Sequence, residues 1–568
     1  MTIKSRWSII LLLVLTISIS ACSTDRELEI SADMLFFGDN IITMEDEDNK
    51  IEALAIKDGK IVFSGSREQA KSYQGANTRV IELGNKALMP GFIDAHGHFS
   101  ATARFINFAN LSSPPVGEVN NIDGLIIALR AYVAEQDTPP EWIIGYGYDE
   151  SLLTEKRHPT RADLDKVSKQ IPITVIHVSV HLAVVNSAAL SALKIDAEMP
   201  NPKGGVIRRM PDSLEPNGVL EETAAHMAFY PLSKISPLQF EDALRKTADY
   251  YTSFGITTAQ DGASNLQDLN FLRSIFAKQA LPIEISLYQH VKSEKQLADA
   301  KSETTYTNGV KLSGVKFVVD GSPQGRTAWL SKPYLSNDAQ QGEDYVAYPT
   351  VDKDFYKSAV KKLLDKNVQV ISHANGDAAI DLVLQSLQEG LADRAPLDHR
   401  SVIIHAQLMR KDQVDTAKRV SAIPSFFSSH PFFWGDWHRL NFGDERASNI
   451  SPMAWAKATD LVYTIHNDAP VVPPNMLHLL WASTNRTTRS GYILGENQQA
   501  SVKDALRAIT INAAYQNFEE DSKGSLRVGK QADLVILDRN PLTIDKTILD
   551  QIKVLETIAH GKTVFRAP

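Results

Sequence analysis

"PGFIDAHGHF", residues Pro90 to Phe99, sets two histidines, His96 and His98, one residue apart among Gly and Ala. In an extended segment alternate side chains share a face, so the two imidazoles point the same way. Such a pair suits a metal ion, yet alone it decides little, because co-directed histidines also serve as ordinary hydrogen-bonding residues. The remainder of the chain has to supply further ligands or leave the pair unexplained.

Downstream, apolar strand-like runs alternate with helical stretches. The runs are "EWIIGYG", "PITVIHVSV", "ITTAQDGA", "IEISLYQ", "GVKFVVDGS", "VQVISHANGD", "SVIIHAQ" and "LVYTIHNDAP"; "KDFYKSAVKKLLDKN" and "GDAAIDLVLQSLQEGLADR" read as helices. Continuous apolar strands between helices imply a parallel sheet. With this many units the expected α/β fold is a (β/α)8 TIM-like barrel over residues 87–520. An open doubly wound sheet is the weaker reading, since neither GxGxxG nor GxxxxGK[ST] occurs.

Both flanks differ from this middle. Residues 33–86 hold "ALAIKDGKIVFSG", two short strands around an Asp-Gly turn, and residues 521–568 hold "ADLVILDRNP" and "VLETIAHGKTVF". The two ends are expected to build one small composite β-sandwich. A net charge of −9 over 568 residues argues against nucleic acid as the main partner and leaves a small molecule as the expected one. The first residues, "MTIKSRWSIILLLVLTISIS", place Lys4 and Arg6 before an apolar run shorter than the roughly 20 residues of a membrane span. "ISAC" follows, and Cys22 is the sole cysteine. This resembles a bacterial lipobox, so residues 1–22 are expected to be a lipoprotein signal and Cys22 the lipidation site. The mature protein is then exported and tethered to the cell envelope, at an outer membrane facing the periplasm if the cell has two membranes. A plain secretory signal with a chance cysteine is the alternative.

A barrel keeps its chemistry at the C-terminal ends of its strands. There the sequence places His373 ("VQVISH"), His405 ("SVIIH"), and His466 and Asp468 ("LVYTIHND"), while Lys316 sits inside the apolar "GVKFVVDG" on the same face as Asp320. One such residue has an ordinary explanation; all of them in order at successive strand ends do not. Imidazole and carboxylate suit Zn²⁺ and related divalent ions. Burial lowers a lysine pKa, and its neutral amine can add CO₂ to become a carbamate able to bridge two metals. A bridging hydroxide would be the nucleophile, with Asp468 taking its proton and passing it to the leaving group.

"PGFIDAHGHF", "GVKFVVDGSPQGRTA", "VISHANGDAAID", "IIHAQL", "NDAPV" and "GSLRVGKQADLVILDRNP" together resemble the metal-dependent amidohydrolase superfamily. The branch they resemble is amidohydrolase family 3, which includes N-substituted formamide deformylases. The resemblance runs from about Leu35 to Phe565. It implies the barrel with its composite β-sandwich, one or two divalent ions, and the ligands His96, His98, Lys316 as a carbamate, His373, His405 and Asp468. The family often reads Ser-Asp-Ala-Pro where this chain has Asn467-Asp468-Ala469-Pro470.

The family also places carbonyl-polarising residues in segments comparable to "HVSVHLAVVNSAAL" and "FFSSHPFFWGDWH". From these His181 and His430 are chosen as catalytic candidates, over His177 and Asn186, with Phe432, Phe433 and Trp434 as an apolar pocket wall. Arg326 either orients a polar substrate or pins its own loop. The expected reaction is hydrolysis of a non-peptide carbon–nitrogen bond, an N-formyl or N-acyl amide. Ring deamination is disfavoured, because superfamily deaminases carry a glutamate near the strand-five histidine and here Ala374-Asn375-Gly376-Asp377 follow His373. A lactone or phosphoester hydrolase on the same metals, or a non-catalytic tethered binding lipoprotein, are the alternatives.

Overall fold

The computed structural model describes residues 31–45, 50–335, 342–392 and 394–568. Residues 1–22, with the expected signal and Cys22, lie outside the described residues. Eight parallel strands form one sheet: β1 (Phe92–Ile93), β2 (Ile256–Ser264), β3 (Glu284–His290), β4 (Val310–Val318), β5 (Gln369–Ala374), β6 (Val402–His405), β7 (Ile423–Phe426) and β8 (Thr464–Ile465). Chain order equals sheet order, so every connection is a step to the next strand. The sheet curls until its edges meet: the Asp468 N–H donates to the His96 carbonyl at 3.1 Å, and the His98 N–H to the Ala469 carbonyl at 2.7 Å. This architecture fits a TIM-like barrel.

The strands are buried on both faces because helices cover the outside. Helix Lys353–Asp365 presents Tyr356, Ala359, Val360, Leu363 and Leu364 to the sheet, a spacing of three and four residues that forms one stripe. Asp352 caps it, its carboxylate accepting the Phe355 N–H at 2.9 Å. Each large aliphatic side chain so buried contributes roughly 1.5–3 kcal/mol.

Two of the strand-like runs lie elsewhere. "EWIIGYG" and "PITVIHVSV" form Ile143–Tyr148 and Ile173–His177, which belong to a separate six-stranded mixed sheet within residues 109–222, inserted between β1 and β2. That sheet has its own core, including Leu125, Leu129, Ile143, Val175 and Val184. An apolar run records burial on both faces but not which neighbour does the burying, so the pattern alone could not separate the two sheets. The barrel strand missing from the sequence reading is "IPSF", β7. Four residues with a proline read poorly as a central strand, since Pro424 has no N–H to donate.

At the flanks, Met34–Phe37, Ala53–Lys57, Lys60–Gly65 and Arg79–Glu82 form one four-stranded sheet. Ala87–Pro90 joins Leu534–Leu537, Val554–Ala559 and Lys562–Arg566 in another. Side chains from both, among them Phe36, Leu54, Leu88, Leu534 and Ile558, share a core. The expected hairpin is present, with Asp58 (φ 49°) and Gly59 (φ 73°) in the left-handed conformation of its turn. Gly91 carries the chain from this sheet into β1, and a Cβ there would lie 2.6 Å from the Thr257 side chain.

Candidate metal centre

The extended ladder of β1 stops at Ile93, so His96 and His98 lie just beyond it and not on the strand itself. They still converge. His96 Nε2 and His98 Nε2 lie 3.4 and 3.1 Å from Asp468 Oδ1. The closure of the barrel edges brings these residues together, because the same backbone that carries Asp468 is bonded to the His96 carbonyl. Asp468 adopts φ 58°, a strained conformation for a non-glycine residue that aims the carboxylate inward.

Neighbouring groups fix which histidine nitrogen faces the centre. The Gln260 amide N–H donates to the Ala95 carbonyl at 2.7 Å, which turns its oxygen towards His96 Nδ1 at 2.6 Å. Nδ1 therefore carries the proton and Nε2 offers its lone pair. Lys316, 1% exposed on β4, places Nζ 3.1 Å from that same Nε2. The His373 and His405 rings sit 4.4 Å apart, and His405 lies 5.6 Å from His96 between centroids. His373 Nδ1 bonds Asp320 at 3.1 Å, and Asp320 also accepts the backbone N–H groups of Asn375 and Gly376. His405 Nδ1 bonds His466 Nε2 at 3.1 Å, and His466 Nδ1 bonds Ser425 Oγ at 2.9 Å.

The electrostatics favour neutral ligands. Burial, with the charges of Lys316 and His98, holds His96 well below the usual imidazole range, and burial with the adjoining histidines does the same to His405. Burial lowers Lys316 to about 7, against the pull of Asp468. Burial pushes the Asp468 carboxyl up, but His98, His466 and Lys316 outweigh it and keep the group below its ordinary value. Asp468 Oδ1 is fully buried, and His98 Nε2 at 3.1 Å is not aligned for a good hydrogen bond to it. A buried carboxylate oxygen without an aligned donor is costly. Facing the His96 lone pair and the His98 ring, it fits a divalent cation.

His181 and His430 line a cavity together with Asp468, His373 and His405. His181 Nδ1 bonds Glu222 at 2.8 Å, and its ring lies 6.0 Å from His373. His430 Nδ1 bonds His438 Nε2 at 2.9 Å. Phe427, Val471, Phe433 and Trp434 pack beside them as an apolar cluster, with Phe432 against its edge. Arg326 does not line that cavity; its guanidinium stands 5.7 Å from the Trp437 ring centre. Asn186 is structural: it caps helix Ser187–Ala192 and bonds the Ser168 and Ile171 carbonyls.

A second group, Asp149, Glu150 and His177, also gathers ligand-type atoms. Here the backbone N–H of Ser179 donates to His177 Nδ1 at 3.1 Å, so the ring proton sits on Nε2, 2.8 Å from Glu150. Asp149 already accepts from Ser151 and from Trp434 Nε1. Glu150 and His177 face each other, and the His177 Nδ1 lone pair is already taken by Ser179. Gln260, Asp320 and Glu222 had no assigned role in the sequence reading. Only Asp320 carried a signal, its shared face with Lys316; Glu222 comes from a distant strand of the inserted sheet.

A family model described as "Amidohydrolase family" matches residues 79–565. The chain belongs to the amidohydrolase family. It is a hydrolase of a metal-dependent kind, and His96, His98 and Asp468 are its candidate ligand group. This amidohydrolase is 25% identical over 542 residues to a putative amidohydrolase, YtcJ, of Bacillus subtilis, covering 94% of this chain and 99% of that protein. It is also 25% identical to the N-substituted formamide deformylase of Arthrobacter pascens, covering 93% and 97%. An uncharacterised metal-dependent hydrolase from Pyrococcus horikoshii shares its fold, with a TM-score of 0.71 at 23% identity over 90% of this chain and 99% of that one.

Proposed function

We propose that this amidohydrolase cleaves the non-peptide carbon–nitrogen bond of an N-formyl or N-acyl amide. The observation that carries the reading is the buried Asp468 Oδ1 facing His96 Nε2 and His98 Nε2 at 3.4 and 3.1 Å. The likeness to a formamide deformylase along nearly the whole chain supports the substrate class.

In this reading His96, His98 and Asp468 hold one divalent ion, Zn²⁺ by donor chemistry, and His373, His405 and a carbamate on Lys316 hold a second. When bound, such ions polarise a carbonyl and make water acidic near neutral pH. Asp468 takes a proton from water as its oxygen bonds to the acyl carbon. The C–N bond then breaks, and Asp468 returns the proton to the departing nitrogen, giving an acid and an amine. His181, oriented by Glu222, and His430 face the acyl oxygen and stabilise its developing charge. Gln260 and Asp320 keep the His96 and His373 rings in place. The barrel is the catalytic unit, the two flanking sheets form one composite β-sandwich, and Cys22 carries a lipid that tethers the enzyme to the cell envelope.

The test is a panel of N-formyl amides, N-acyl amides, lactones and phosphoesters offered to Zn²⁺-loaded protein, with products identified by mass spectrometry. Release of amine from the amides is expected. Turnover of lactones or phosphoesters with none of the amides overturns the proposal.

A further inference from the structure

Helix His430–Ser448 carries two histidines eight residues apart, and the proposed chemistry uses only the first. His430 lines the cavity beside Asp468, His405 and His181. His438 is fully buried and packs on the Phe442 ring. The two imidazoles lie within 7° of one plane, and His430 Nδ1 meets His438 Nε2 at 2.9 Å. Their centroids are 5.2 Å apart, the separation of rings joined edge to edge. One of the two nitrogens therefore donates and the other accepts.

Neither ring is charged. Burial holds His438 at about 3, and burial with His438 and His466 holds His430 well below the usual imidazole range. His181 differs: burial presses its ring down, but Glu222 outweighs that and raises it. Two neutral arrangements remain for the pair. With the proton on His430 Nδ1, His438 Nδ1 is a buried N–H that has no acceptor among the described residues. With the proton on His438 Nε2, the same Nδ1 is a bare lone pair. An orphaned buried N–H is the rarer and costlier of the two. The second arrangement therefore holds, and it puts the single proton of His430 on Nε2, the nitrogen that His438 does not engage.

We propose that His438 is a positioning residue for the reaction: its Nε2–H holds His430 in the tautomer that presents Nε2–H to the acyl oxygen. The inference rests on the reading in which His430 faces that oxygen. Phe427 and Trp434 flank the His430 ring at 4.6 and 4.5 Å between centroids and fix its plane, while His438 fixes its proton. Without that donor the ring can move its proton to Nδ1 and turn a lone pair on the oxygen, which repels the developing charge. An imidazole partner also keeps His430 neutral, where a carboxylate such as Glu222 on His181 would add a positive charge.

The test reads the tautomer directly, by ¹⁵N NMR of the ring nitrogens in the full-length, Zn²⁺-loaded protein. His430 is assigned from the signals that vanish in His430→Asn. A protonated Nε2 and a bare Nδ1 are expected; a protonated Nδ1 overturns the proposal. His438→Phe should lower kcat on an N-formyl amide roughly 10- to 100-fold, with KM changed less than about 2-fold. His438→Gln, whose amide can donate to the same nitrogen, should restore most of the rate. An undiminished kcat in folded His438→Phe overturns the proposal. So does a loss that His438→Gln leaves unrepaired, because packing alone then explains it. If His438→Phe does not fold, the wild-type tautomer decides. Reading the tautomer needs no substrate, so the two readings fail separately. A protonated Nε2 in a protein that turns over none of the amides removes the amide chemistry and keeps the His430–His438 pair. Turnover of amides with the proton on Nδ1 does the reverse.

Discussion

The two ends of the eight-stranded sheet bury ionisable side chains in opposite ways. Where the strands begin, Lys311 on β4 pairs with Glu519 and also donates to the Asn517 carbonyl at 3.0 Å. Lys523 pairs with Glu284 at the start of β3, with Glu519 at 3.3 Å, and donates to Thr258 Oγ1 at 3.1 Å. Each buried ammonium there has opposite charge and acceptors around it. Where the strands end, His96, Lys316, His405 and Asp468 are buried as deeply, yet Asp468 Oδ1 and Lys316 Nζ both face imidazole nitrogens. Burial is the same at both ends; the pairing of ammonium with carboxylate is not. Charges that complete one another hold the fold, whereas a shortfall aimed at one point marks a place for a ligand.

Asp468→Asn attacks the end where the strands finish and should have the largest effect. It keeps the shape of the side chain but removes the base, so kcat should fall about 10³-fold or more with an unchanged circular dichroism spectrum. Substantial residual turnover would remove Asp468 from the proton path. Lys523→Met attacks the paired end. It leaves Glu284 and Glu519 without their shared cation and should cost about 3–5 kcal/mol in denaturant unfolding, while turnover per folded molecule stays the same. Lost turnover at unaltered stability would reverse the contrast between the ends.

Gln260→Leu sharpens the comparison, because Gln260 acts only by orienting His96. Metal affinity measured against a chelator should weaken roughly 10- to 100-fold with little change in melting temperature. An unaltered affinity would show that the ring needs no such support. The smallest effect concerns acid. Burial pushes the Glu284 carboxyl up, but Lys523 and His560 override it and hold the group at about 2. A depressed carboxylate pKa contributes stability that is fully present above about pH 5 and is lost as pH falls towards 2. Between pH 6 and 3.5 unfolding should become easier by about 1 kcal/mol from this group, and Lys523→Met should flatten that slope. A slope that persists unchanged in the variant would assign it to other carboxylates.

Much of the centre was legible in the sequence for a simple reason. Imidazole, carboxylate and a lysine at the ends of apolar strands are expensive to bury, so their position in the pattern already singles them out. His96, His98, Lys316, His373, His405 and Asp468 all reach one centre in the fold. Their supports were not legible. Gln260 and Asp320 look like any polar residues on strands, and Glu222 meets His181 only because two strands of the inserted sheet pair, with the Glu222 N–H on the His181 carbonyl at 2.8 Å. The inserted sheet itself was invisible for the same reason that "IPSF" was overlooked: strand patterns report burial, and partners are chosen elsewhere.

By itself the sequence determined the alternation of strands and helices, the Asp58-Gly59 hairpin and the set of ligand-type residues. Those follow from local rules of backbone conformation and from the cost of burying polar atoms. Tertiary structure alone decided that two apolar runs leave the barrel and that its edges close between His96 and Asp468. It alone decided that Asp468 Oδ1 meets the imidazole nitrogens of His96 and His98 while Glu150 meets His177. Which polar atoms face one another is a property of where distant segments meet, and no local pattern encodes that.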